Sequence, residues 1–161
     1  MCAISSIYRY DALHKDDVSK IKDMNHQMAY RGPDGEGYWN NDNVAMGHMR
    51  LDIIGLDNGT QPLYNSDKST ILICNGEIFN YKELKDQLHK KGFEFRTDSD
   101  SEVILYLYEL YGEACVQHLR GMFAFCLYDT KMNKIIAARD RMGQECNLII
   151  NTTDQYSLMP Y

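Results

Sequence analysis

Ile71-Leu72-Ile73-Cys74-Asn75-Gly76-Glu77 sets an unbroken apolar run against an abrupt polar stop. Four consecutive apolar residues fit a strand buried on both faces better than one that alternates. The run predicts such a strand, ending at Asn75-Gly76. There a side-chain amide and a backbone N–H would meet at one edge, two neutral donors suited to a developing oxyanion. Taken alone, Asn-Gly reads first as a plain β-turn, where it is among the commonest dipeptides.

Working outward, Ile4 to Tyr8 is short and β-prone, and carries Cys2 at its mouth. Val18, Ile21, Met24 and Met28 recur at helical spacing and predict a helix from about Asp16 to about Ala29. Arg31-Gly32-Pro33-Asp34-Gly35 then breaks it as a rigid turn that shapes a wall. A strand pair is expected next, with Val44 to Met49 as one member. Asn80 to Lys91 reads as an amphipathic helix stopped by Gly92. Ser99 and Glu102 have capping-box spacing and open a helix that ends at Gly112. Met122 to Tyr128 and Ile135 to Arg139 form an expected hairpin. The pattern is α+β, with polar residues gathered at strand ends.

The 161 residues suit one domain, 1–161, that needs no disulfide to hold its core. Net charge is −6 with no cationic face, which argues against nucleic-acid or anionic-membrane binding. Cysteines 2, 74, 115, 126 and 146 include no C-x-x-C pair, so neither a disulfide framework nor a zinc ribbon is suggested. No stretch approaches a bilayer span, and no apolar leader precedes Arg9. A reducing cytoplasm is the expected location.

Cys2 follows the initiator methionine directly. Without Met1, one residue would carry both a thiol and a free α-amine. That amine has an ordinary pKa of roughly 7.7–8.0, so it can take the thiol proton at working pH. Arg50 closes Gly47-His48-Met49-Arg50-Leu51, and its guanidinium matches a carboxylate bidentately. A surface ion pair is the plainer reading of Arg50 by itself. His48 reads as structural. Asp100, beside the cap Ser99, is placed either to favour a helix start or to bind a substrate ammonium. Arg139-Asp140-Arg141 reads as an internal ion-pair network without a catalytic role. No metal cluster or phosphate loop is present in the pattern.

These stretches, in this order, resemble class II glutamine amidotransferases. The nearest wording is that of the N-terminal glutaminase domain of glutamine-hydrolysing asparagine synthetases. The likeness runs through Met1-Cys2, Arg31 to Gly35, Gly47 to Leu51, Asn75-Gly76-Glu77-Ile78-Phe79-Asn80-Tyr81 and Ser99 to Leu105. It continues through Leu119 to Phe125 and Ala138 to Arg141. It covers about 1–143 and leaves 144–161 divergent.

The resemblance implies an αββα four-layer sandwich of the N-terminal-nucleophile hydrolase type, with a C-terminal sheet edge left incomplete. It makes Cys2 the nucleophile and its α-amine the base, with Asn75 and Gly76 as the oxyanion hole. Arg50 then holds the glutamine α-carboxylate, and Glu77 and Asp100 hold the α-amino end. The backbone of Leu51, Asp52, Ile53 and Ile54 lines the pocket. The substrate is L-glutamine, and ammonia passes to a separate ATP-dependent synthetase, most directly for asparagine. No cofactor belongs to this chain; ATP and Mg serve the absent synthetase domain.

Three departures keep other readings open: Ala3 where the family has glycine, the divergent 144–161, and the missing synthetase domain. A glutamine-binding or interaction module without catalysis is one alternative. An amidotransferase acting on another carboxylate or a sugar is a second.

Overall fold

The computed structural model describes residues 2–55 and 57–145. Of the stretch 144–161 expected to diverge, only 144 and 145 are among these, and Cys146 lies outside them. Its elements run β1 (Ala3–Tyr8), α1 (Asp17–Gln27), β2 (Gly35–Asn40), β3 (Val44–Arg50), β4 (Leu63–Tyr64) and β5 (Thr70–Ile78). They continue with α2 (Tyr81–Lys90), α3 (Val103–Tyr111), β6 (Gly121–Asp129) and β7 (Lys134–Arg139). Short 3-10 turns precede and follow α3 at Asp100–Glu102 and Gly112–His118.

The strands form two antiparallel sheets of order β1-β3-β2 and β4-β5-β6-β7. Between them lie Val44 and Met46 of β3, Ile71 and Ile73 of β5, and Cys126 and Tyr128 of β6. The other face of β5 and β6 presents Leu72, Cys74, Phe123, Phe125 and Leu127 to Leu84 and Leu88 of α2 and to the apolar residues of α3. Both faces of β5 are therefore dry, which explains its unbroken apolar run. On the first sheet, Ser5 of β1 donates to Asn25 of α1 at 2.6 Å, both buried.

The strand does not end at Asn75-Gly76. Asn75 pairs with Ala124 and Gly76 with Phe123, and β5 continues to Ile78. Nine-residue pairing with β6 overrides the local turn preference of Asn-Gly. Gly76 is nonetheless special: its φ is +137°, and a Cβ there would stand 2.0 Å from the Met122 carbonyl oxygen. Gly76→Ala is expected to cost about 2–5 kcal/mol through overpacking and backbone strain, read as a lowered melting temperature.

Two local expectations also change. Ser99 caps as expected, accepting from Ser101 N at 3.3 Å, but Glu102 does not complete a capping box. Its carboxylate turns to the N–H groups of Arg96 and Thr97, each at 2.8 Å, and braces the incoming loop. Asp140 shows no ion pair among the described residues. It accepts N–H bonds from Met142, Gln144 and Glu145, all at 3.0 Å, and so winds the turn after β7.

Candidate active site

The two sheets meet at a cavity of about 180 Å³ lined by Cys2, Arg50, Asn75, Gly76, Glu77 and Asp100, among others. The register Ala3↔Met49 brings Cys2, just before β1, beside the end of β3. Its Sγ accepts the Leu51 N–H at 3.3 Å and lies 3.6 Å from the Leu51 carbonyl. Arg31 Nε donates to the Cys2 carbonyl at 3.2 Å, fixing the backbone behind the thiol. Burial pushes the Cys2 thiol up, against the pull of the Leu51 N–H and nearby positive charge. A protonated thiol needs a base before it can attack.

The β5 edge facing the cavity carries the donors. β4 covers only Ile71 and Leu72. Beyond it, the Gln61 side chain replaces a strand: Cys74 N donates to its Oε1 at 2.6 Å, and its Nε2 donates to the Cys74 carbonyl at 3.0 Å. Ile78 N donates to Asp100 Oδ2 at 2.6 Å. Strand alternation puts the N–H groups of residues 74, 76 and 78 on one edge. The Gly76 N–H thus stands between two occupied neighbours, in an exposed stretch that lines the cavity. Asn75 precedes it, and its Nδ2 donates to Glu145 Oε2 at 2.6 Å.

Arg50 is held at the wall by the loop it precedes. Its Nε pairs with Asp52 at 2.6 Å, and its two terminal nitrogens donate to Thr60 Oγ1 at 3.1 Å and to the Gly55 carbonyl at 2.5 Å. Leu51, Ile53 and Ile54 line the cavity; Asp52 is not among the lining residues and serves Arg50 instead. Burial pushes the Asp100 carboxyl up, with the Ile78 N–H opposing. His48 is buried, and burial brings its imidazole down to about 4, so it is neutral at pH 7. Its Nε2 reaches the Cys74 carbonyl at 3.2 Å and pins one sheet to the other. Cys74 also lines the cavity, but burial pushes its thiol far up and keeps it protonated.

Sequence reasoning misses Gln61, the Arg31 bond to Cys2 and the arrival of Glu145. None carries a local signal, because each depends on a partner distant in the chain. Among the described residues, no group of three His, Cys, Asp or Glu side chains is placed to hold a metal ion. No described helix is long and apolar enough to cross a membrane.

A thiol, a side-chain amide and a backbone N–H thus stand around one cavity. The family of the glutamine amidotransferase domain matches residues 1–157. The chain belongs to this family, and the domain is a glutamine amidotransferase. Among curated proteins, it is 41% identical over 145 residues to glutamine-hydrolysing asparagine synthetase 1 of Bacillus subtilis (strain 168), covering 89% of this chain and 23% of that protein. It is 43% identical over 143 residues to the glutamine-hydrolysing asparagine synthetase of Zea mays, covering 89% and 24%. The chain spans about a quarter of these relatives' length. Among solved structures, it resembles the glutamine phosphoribosylpyrophosphate amidotransferase from B. subtilis complexed with ADP and GMP. The TM-score is 0.68 at 23% identity, over 87% of this chain and 37% of that one. The shared feature there is the fold, mixed α and β with two sheets.

Proposed function

We propose that the protein hydrolyses the side-chain amide of L-glutamine, with Cys2 as an N-terminal nucleophile once Met1 is removed. The supporting observation is the Gly76 N–H standing open on the β5 edge, beside Asn75, in the cavity that Cys2 lines. The α-amine of Cys2 takes the thiol proton, and sulfur attacks the amide carbon. The C=O electrons move to oxygen, and the oxyanion is held by Asn75 Nδ2 and Gly76 N. The C–N bond then breaks, the proton on the amine goes to the leaving nitrogen, and ammonia departs from a glutamyl thioester. Water, deprotonated by the same amine, attacks the thioester and releases glutamate.

Arg50 binds the substrate α-carboxylate, while Glu77 and Asp100 hold its ammonium end. Leu51, Asp52, Ile53 and Ile54 form the loop that closes the pocket. Arg50→Lys keeps the charge but loses the planar fork. It is expected to raise the KM for glutamine about 10- to 100-fold, with kcat changed much less.

In this reading the layers are an αββα sandwich, and the domain works in the cytoplasm, where Cys2 stays reduced. Ammonia feeds an ATP-dependent synthetase that makes asparagine, as the names of the relatives suggest. ATP and Mg belong to that synthetase, and glutamine hydrolysis requires no cofactor here. Glutamate release from glutamine by the Met1-free protein tests the reading; glutamine left intact would sink it. A second reading, glutamine binding without turnover, is favoured by one observation: Asn75 Nδ2 already donates to Glu145.

A further inference from the structure

The amide assigned to the oxyanion meets a carboxylate. Glu145 Oε2 accepts from Asn75 Nδ2 at 2.6 Å, across 70 residues of sequence. Both side chains are buried, Glu145 at 1% exposure and Asn75 at 5%. Asn75 Oδ1 and Glu145 Oε1 are buried with no hydrogen-bond partner among the described residues. The placement is built by the fold. Asp140 gathers the N–H groups of Met142, Gln144 and Glu145 and curls the turn after β7 until Glu145 lies against β5.

We propose that Glu145 is an electrostatic brake on the oxyanion hole, occupying an Asn75 N–H and setting negative charge beside the forming oxyanion. This rests on the Cys2 mechanism above. An ionised carboxylate only accepts, so the contact turns Nδ2 of the amide toward Glu145. One donor of an oxyanion hole is worth about 10²–10³ in kcat, and here that donor is shared with a competing anion. The groups around Glu145 divide in sign. Burial pushes its carboxyl up and Asp140 adds to this, while the Asn75 hydrogen bond, Arg31 and the amino terminus pull it down. Cys74, also close, stays a neutral thiol. A carboxyl so raised is easier to neutralise than an exposed glutamate, which is what a releasable brake requires.

Glu145→Gln removes the charge and leaves a weaker, neutral acceptor, so the Asn75 N–H turns to the oxyanion more readily. The brake predicts kcat/KM for glutamine raised roughly 10- to 100-fold, nearly all of it in kcat. A residue that merely positions Asn75 predicts no change or a fall, and either result overturns the proposal. Labelling of Cys2 by a glutamine-analogue electrophile, run on wild type and variant alike, separates the two claims. If neither protein is labelled or makes glutamate, the Cys2 mechanism itself fails. If both turn over equally, only the brake fails. Should Glu145→Gln not fold, the wild-type protein supplies the test by NMR. The Asn75 side-chain NH2 resonances must move as Glu145 gains its proton. Resonances that stay fixed while the Glu145 carboxyl carbon reports its own titration overturn the contact.

Discussion

Cys2→Ala abolishes glutamine hydrolysis, with kcat reduced by roughly five to six orders of magnitude, as when other covalent nucleophiles are removed. The residue supplies the attacking atom and nothing else in the cavity replaces it. Cys74, the other thiol at the wall, is buried and held protonated. The fold should survive. The Cys2 side chain touches the rest of the protein through Leu51, while Arg31 grips its backbone carbonyl, which alanine retains. Thermal melting within a few degrees of wild type, together with loss of glutamate formation, is the expected pair of results. A variant that still releases glutamate at a tenth of the wild-type rate would contradict the assignment.

Asn75→Ala is the second large effect. It removes the side-chain half of the oxyanion hole and leaves the Gly76 N–H. A free donor of this kind is worth about 10²–10³ in kcat, and with Glu145 already sharing the amide the remaining loss is about 10- to 100-fold, while the ground-state KM changes little. It also leaves the buried Glu145 carboxylate without its donor, which costs stability of about 1–3 kcal/mol. Steady-state kinetics and a urea melt read the two consequences separately. A rise in KM with kcat unchanged would mean that Asn75 binds the substrate and does nothing for the transition state.

Much of this is readable in the chain before folding. The apolar run of β5 marks a strand dry on both faces, and its Ile71 and Ile73 indeed meet Val44 and Met46 of β3 between the sheets. The cavity residues Cys2, Arg50, Asn75, Gly76 and Asp100 are named by motif, and the fold brings all five to one place. Local reasoning fails where distant partners decide. Asn-Gly has a turn preference, but pairing with Ala124 and Phe123 holds it extended. Arg139-Asp140-Arg141 looks like an ion-pair cluster, yet Asp140 spends both oxygens on backbone N–H groups. Gln61 standing in for a strand, and Glu145 reaching Asn75, depend on contacts across 13 and 70 residues that no periodicity encodes.

The central claim is that sulfur and base belong to the same terminal residue. Intact-mass spectrometry of the protein after exposure to a glutamine-analogue electrophile tests it most directly. The predicted spectrum shows a chain lacking Met1 and carrying one adduct, which peptide mapping places on Cys2. A chain that keeps Met1, or an adduct found on Cys74 instead, would contradict the account.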